Sequence, residues 1–389
     1  MVDYSLLQRK YMVGTYVNRG LTFVAGEGVY LKDASGTAYL DLMSNYGVNI
    51  FGHGHPTVVE RLTDQVRTLT TLHCSFANDR RAEAARRLVA RCGGGLAQVF
   101  FSNSGAEANE AALKFAVLAT GRKKFVACRR GYHGKTLGAL SATDGRKFRE
   151  AFEPLIWDVV FVPYGDADAL AAAVDDTTAG FIVEPLLGEG GIVVPEAGYL
   201  KRASDICRAR GALLLIDEVQ TGAGRTGDFL ASGSEGIAYD IVTLGKGLAC
   251  GIPIGATLVT REVGDKIPRS SHTSTFGGNP LAAAGVLAAL DLLDGPMAAH
   301  VVEAGEYFRA GLRALGSGEI TAVRGRGLMV GAEVRSRRDE ILKKLQDEKI
   351  LAIPAAKSVV RFLPPYIIQK PYIDDALAKL AGILSGLSA

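Results

Sequence analysis

Ala-Leu-Leu-Leu-Ile-Asp-Glu-Val-Gln-Thr-Gly (212–222) runs through five apolar residues and then an acidic pair. Such a run fits a strand buried on both faces of a parallel sheet. Asp217 then stands at the C-terminal end of that strand, where open α/β sheets bind ligands. Outward from it, strand signals recur at 98–101, 124–128, 159–162, 180–183, 213–216, 241–244 and 256–259. Amphipathic or Ala-rich stretches between them, such as 167–174 and 198–210, predict helices. This alternation predicts an α/β fold with a mostly parallel sheet covered by helices. After Asn279-Pro280 the pattern changes to helical segments, short strands near 329–334 and 359–363, and a last helix from about Ile373. That reads as a smaller α+β domain. A hairpin is expected over 28–42, turning at 33–36. The expected division is 1–49 joining the small domain, 50–285 as the large domain and 286–389 as the small domain.

Three further segments carry chemistry. Asp-Ile-Val-Thr-Leu-Gly-Lys-Gly-Leu (240–248) ends an apolar run on Lys246, with glycine on both sides. A charged ammonium is costly there, so its pKa should fall. Desolvated lysines of this kind form Schiff bases with carbonyl compounds. A surface lysine with a buried stem would look the same in isolation. Phe-Phe-Ser-Asn-Ser-Gly-Ala-Glu-Ala-Asn-Glu-Ala-Ala-Leu-Lys (100–114) starts a helix at Ser104, with Glu107 placed for a capping box. Gly105 and Ala106 are small enough for backbone N–H groups to approach an anion at the helix N-terminus. The segment matches neither Gly-x-Gly-x-x-Gly nor the Walker pattern, which argues against a dinucleotide or ATP site. Arg-Arg-Gly-Tyr-His-Gly-Lys-Thr-Leu-Gly-Ala-Leu-Ser-Ala-Thr (129–143) bends the backbone after a strand and offers Tyr132 to stack on a flat ring. Asp217 suits a protonated pyridine nitrogen, which improves an electron sink. It would equally cap a turn or bind magnesium, but Lys246 and the missing Walker lysine argue against the metal. Together the four segments describe a site for pyridoxal 5'-phosphate.

With these segments in place, the chain resembles the class III (ornithine/acetylornithine type) aminotransferases from about Tyr16 to Ile373. The resemblance also rests on 26–41, Gly-His-Gly-His-Pro (52–56), Val-Glu-Pro-Leu-Leu-Gly-Glu-Gly-Gly (183–191) and Ser-Thr-Phe-Gly-Gly-Asn-Pro (274–280). Residues 16–24 and 360–366 look most like archaeal-type members of arginine and lysine biosynthesis. Some of those use substrates attached to a small acidic carrier protein. The resemblance implies the fold-type I architecture and a homodimer with shared active sites. It implies that Lys246 holds the cofactor and moves the proton, and that Asp217 pairs with the ring nitrogen. Ser104, Gly105 and Ala106 would bind the phosphate, with Thr275 reaching in from the other subunit. Tyr132 and Val219 would cover the two ring faces, Gln220 would lie near the ring hydroxyl, and Glu184 would support the site. Arg361 would bind an acceptor carboxylate that Glu189 masks when an amine is bound. Tyr16 would contact substrate. Where acetylornithine and ornithine enzymes usually carry arginine after His-Gly, this chain has Lys135, a point charge without a planar fork. Either Lys135 clamps the donor carboxylate less rigidly, the donor lacks that carboxylate, or Lys135 points away.

Composition narrows the field. The chain has 389 residues, 48% hydrophobic and 22% charged, as a soluble two-domain enzyme would. A net charge of +3 gives no footprint for nucleic acid. Arginine pairs at 80–81, 86–87, 129–130 and 337–338 are expected on solvated helix faces, where an acidic carrier protein could dock. Five scattered cysteines lack Cys-x-x-Cys spacing, which argues against zinc and a disulfide framework. Cys128, Cys207 and Cys250 are expected in the core. No signal pattern or membrane-length apolar run is seen, so a cytoplasmic location is the expectation. The expected reaction moves the terminal amino group of an acetylornithine-like or carrier-linked lysine donor to 2-oxoglutarate. Diamine (putrescine) or 4-aminobutyrate transfer, and an aminomutase, stand as alternatives.

Overall fold

The structure, a computed structural model, describes residues 2–388. Its first strands are β1 (Phe23–Glu27), β2 (Tyr30–Asp33) and β3 (Ala38–Asp41). Asp33 shapes the β2–β3 turn, its carboxylate accepting from the N–H groups of Ser35 and Thr37. Next come β4 (Leu96–Ser102), β5 (Lys124–Cys128), β6 (Asp158–Val162), β7 (Thr178–Val183), β8 (Leu213–Asp217), β9 (Ile241–Leu244) and β10 (Gly255–Thr260). They form a seven-stranded sheet in the order β4-β10-β9-β8-β7-β5-β6. Strands β5 to β9 pair in parallel, whereas β10 runs antiparallel to both β4 and β9. It follows that β4 points the same way as the parallel five. The last strands are β11 (Ile320–Arg326), β12 (Met329–Val334), β13 (Ile350–Leu351), β14 (Ile353–Ala355) and β15 (Val359–Phe362). An antiparallel sheet runs β11-β12-β15-β14, and β13 pairs in parallel with β3. The N-terminal hairpin is thus completed by a strand from the C-terminal region.

The central strands are buried because helices cover them. The helix Gly105–Thr120 packs an Ala-rich face on the sheet, and two buried threonines answer its polar groups. Thr257 Oγ1 donates to the Ala108 carbonyl at 2.8 Å, and Thr243 Oγ1 to Asn109 Oδ1 at 2.7 Å. The helix Pro280–Leu292 is capped by Asn279 with proline in the first turn and is mostly buried. At Gly285 a Cβ would fall 2.7 Å from the Ala249 carbonyl, so this helix presses directly on the turn after Lys246. Among the described residues no single helix is long and apolar enough to cross a membrane; one pair bent by 76° passes only when joined.

Each expected central strand is present, longer by up to two residues at an end. Ladder pairing outlasts the apolar run: Asp217 still pairs with Thr243. Two expectations need correction. Arg81 is half-buried on its helix, and Arg129 and Arg130 lie in the turn after β5, not on a helix. Arg81 donates to the carbonyls of Gly278, Phe76 and Leu72, and Arg130 to that of Gly190. Cys128 and Cys207 are buried, but Cys250 is only half-buried.

Candidate active site

The parallel register puts the C-terminal ends of β4, β5, β7, β8 and β9 on one edge of the sheet. Ser104, Tyr132, Glu184, Asp217 and Lys246 stand at or just beyond those ends. Ser104 caps its helix by accepting from the Glu107 N–H at 3.1 Å. Glu107 reaches back to the N–H of Asn103 at 2.5 Å, one residue earlier than a capping box would use. The helix start is held tightly. A Cβ on Gly105 would lie 2.4 Å from Val219 Cγ1, and one on Gly245 would lie 3.2 Å from the Gly105 Cα. The N–H groups of Gly105 and Ala106 lie in the first turn, which has no intrahelical partner and is favourable to an anion.

Lys246 opens a 3-10 turn, Lys246–Ala249, with φ of 47°. A non-glycine residue held in the left-handed region is strained, as functional residues often are. Burial lowers the Lys246 pKa, against the opposing pull of the Asp217 and Glu189 carboxylates. The amine is thereby biased toward its neutral, nucleophilic form.

Asp217 is 3% exposed and heavily hydrogen-bonded. Oδ1 accepts from the Val219 N–H at 2.9 Å. Oδ2 accepts from Asn109 Nδ2 at 2.7 Å and lies 2.7 Å from His133 Nδ1. A carboxylate fixed by three neighbours has little freedom to turn, as pairing with a ring nitrogen requires. Asn109 and His133 were not singled out from the sequence. His133 lies in the quoted Gly-Tyr-His-Gly stretch, and Asn109 interrupts an Ala-rich helix face; that buried polar position was the available signal.

Glu184 is further back. Its carboxylate accepts from the N–H of Tyr132 at 3.0 Å and of Gly188 at 3.0 Å, so it shapes the two loops around the site. Burial pushes its carboxyl up to about 7. The Tyr132 ring is half-buried and meets Phe148 edge-on, with centroids 5.8 Å apart. Burial raises its phenol pKa, as do the charges of Glu189, Asp217, Glu184 and Tyr16. Tyr16 is therefore near this group, although it is exposed.

Arg361, on β15, is fully buried. Its Nη2 donates to Glu189 Oε1 at 2.5 Å and its Nη1 to Gln220 Oε1 at 3.0 Å. The loop carrying Glu189 packs on the antiparallel sheet through Leu186 and Ile192, and the Glu189 carbonyl accepts from the Ala356 N–H. Gln220 thus engages Arg361 in this structure. Tyr46 was also missed; its ring lies 5.5 Å from the Arg361 guanidinium, within a run of positive φ from Ser44 to Gly47. Lys135 is exposed, with Nζ 5.5 Å from the Phe148 ring centre. Thr275 is exposed on the loop preceding Gly277. A cavity of about 590 Å³ opens beside Tyr132, Phe148 and Glu189, bordered by Arg130, Lys147 and Lys357.

An anion cradle at Gly105, a fixed carboxylate at Asp217 and a neutral-biased amine at Lys246 fit the phosphate, ring nitrogen and carbonyl of pyridoxal phosphate. The family model described as aminotransferase class-III matches residues 13–384. An acetylornithine aminotransferase of Methanopyrus kandleri is 43% identical over 98% of this chain and 99% of its own. A [LysW]-aminoadipate semialdehyde transaminase of Deinococcus radiodurans is 41% identical over 98% of this chain and 90% of its own. The crystal structure of an ornithine aminotransferase from Toxoplasma gondii superposes with a TM-score of 0.94 at 34% identity, covering 99% of this chain and 95% of that one. The chain belongs to the class III aminotransferases, enzymes of the fold-type I architecture that depend on pyridoxal phosphate.

Proposed function

We propose that the protein moves the terminal amino group of an acetylornithine-like or carrier-linked lysine donor to 2-oxoglutarate, giving a semialdehyde and glutamate. The observation that carries this reading is the buried Arg361 paired with Glu189 at 2.5 Å, both close enough to act electrostatically on Lys246. Such a pair suits two substrates in turn. When a dicarboxylate acceptor enters, Arg361 takes a carboxylate; when an amine enters, Glu189 neutralises Arg361. Pyridoxal phosphate, when bound, supplies a carbonyl for the amine and an electron sink that acidifies the adjacent C–H bond. Lys246 Nζ would take the proton from the donor carbon and deliver it to the cofactor carbon that had carried the carbonyl. Asp217, held by Asn109, His133 and Val219, keeps a proton on the ring nitrogen. The Gly105 and Ala106 N–H groups and the Ser104 hydroxyl bind the phosphate. Tyr132 and Val219 would cover the ring, and Tyr16 would contact substrate.

The names of the Methanopyrus and Deinococcus relatives favour these two donors. Arg130, Lys147, Arg338 and Lys357 beside the cavity suit the acidic surface of a carrier protein. A diamine or 4-aminobutyrate donor is the second reading, favoured by Lys135 standing exposed over Phe148 without a carboxylate partner among the described residues. The test is the absorbance of purified holoenzyme mixed with single donors and no acceptor. Loss of the cofactor's resting band with acetylornithine or a carrier-linked lysine supports the first reading. Loss only with putrescine or 4-aminobutyrate overturns it. We also infer a homodimer, with Thr275 completing the phosphate site of the second copy, and a cytoplasmic location. The pairing of β13 with β3 supports assigning 1–49 to the small domain with 286–389, leaving 50–285 as the large domain.

A further inference from the structure

Arg225 is among the largest fully buried side chains, and no carboxylate among the described residues pairs with it. Burying a cation without a counter-ion is costly, so its hydrogen bonds must offset a large desolvation penalty. Its Nη1 donates to the Leu328 carbonyl at 3.2 Å and to the Pro364 carbonyl at 2.6 Å. The guanidinium lies 4.6 Å from the Tyr366 ring centre, and Nη2 has no partner. The backbone adds to the same junction. The Arg225 carbonyl accepts from the Leu328 N–H at 3.1 Å, and Tyr366 Oη donates to the Ala223 carbonyl at 2.9 Å.

These contacts join two halves of the site. Arg225 lies in the turn segment that follows β8 and carries Val219 and Gln220. Pro364 follows the strand that carries Arg361, three residues on. We propose that Arg225 is a positioning residue that locks the Arg361 strand against the Asp217 turn and thereby sets acceptor binding. The inference rests on the reading of Arg361 as the acceptor's carboxylate ligand. Arginine suits this task because Nη1 alone reaches both carbonyls while the flat guanidinium lies over the Tyr366 ring; a lysine ammonium has no such face to lay on the ring. The Asp217 end of the turn does not depend on Arg225. Glu218, fully buried, holds it separately by accepting from Thr221 Oγ1, Ser232 Oγ and the N–H groups of Ala231 and Ser232. Loosening Arg225 should therefore move Arg361 and leave Lys246 and Asp217 in place.

The test uses holoenzyme of R225K, Y366F and R361Q. Each is assayed in single-turnover reactions with N-acetylornithine alone, and in steady state with varied 2-oxoglutarate. R225K should raise the KM for 2-oxoglutarate about tenfold, the worth of one hydrogen bond to a charged group. The acetylornithine half-reaction and the cofactor absorbance should change less than about twofold. Y366F should shift the same KM in the same direction by a smaller factor, and it decides the matter if R225K does not fold. Raised KM in R361Q with unchanged KM in the other two variants overturns the role of Arg225 alone. Unchanged KM in R361Q overturns the Arg361 reading and this inference with it. Equal losses in both half-reactions would make Arg225 a general structural residue and also overturn the proposal.

Discussion

Replacing His133 by Phe tests how Asp217 is held. The His133 ring lies with Nδ1 2.7 Å from Asp217 Oδ2 in a site 3% exposed at the carboxylate. Its Nε2 is buried without a partner, so a phenyl edge there forfeits no hydrogen bond. The substitution isolates the Nδ1 contact. Removing one charge-assisted bond from a buried carboxylate costs about 1.5–3 kcal/mol. An Asp217 carboxylate with one anchor fewer is free to turn away from the ring nitrogen it should face. If the whole loss appears in the barrier, the donor half-reaction slows about 10- to 100-fold. His133→Asn returns an N–H donor near the Nδ1 position and should recover most of the rate. The assay is stopped-flow absorbance with a single donor, with cofactor loading and thermal unfolding measured on the same samples. A fully loaded H133F that reacts at the wild-type rate refutes the reasoning, as does an H133N no faster than H133F.

Lys246→Ala removes the proton-transfer amine and should cut turnover by at least about 10³-fold at full cofactor occupancy, read by glutamate formation. Gly105→Ala places a methyl 2.4 Å from Val219 Cγ1 and should weaken cofactor binding by about tenfold or more. Val219→Ala in the same chain should restore it; a cofactor titration showing no coupling between the two changes would sink the packing argument. Glu184 gives a pH test. Its folded pKa of about 7 lies above the ordinary 4.5, so the folded protein holds a proton that the unfolded chain has lost between those values. The stability this contributes is complete below 4.5 and declines as pH rises through about 7, by roughly 3 kcal/mol. Glu184→Gln should flatten that decline; a wild-type minus variant difference that is constant with pH in denaturant titrations would contradict it.

Much of the site was legible because its parts are local. The apolar run before Asp217, Gly-Lys-Gly at 245–247 and Ser-Gly-Ala at 104–106 each announce a strand end, a buried amine or a helix start by periodicity and residue size. What they could not announce were partners distant in the chain. Asn109 and Asp217 are separated by 108 residues, and Gln220 and Arg361 by 141. No spacing rule connects such positions; the register of β7, β8 and β9 and the docking of the second sheet do. The antiparallel entry of β10 was equally silent, because a fully buried strand shows the same apolar run in either direction.

By itself, then, the sequence determined which segments are strands and helices and which chemical groups end them, because propensity, capping and burial act over a few residues. Only the tertiary structure decided that Asp217 is held by His133 and Asn109, and that Gln220 binds Arg361. It also decided that Arg225, in the turn after β8, bonds the Leu328 and Pro364 carbonyls that flank β12 and β15. Those contacts depend on how whole elements stack, and a buried polar group is satisfied by whichever partner that stacking delivers.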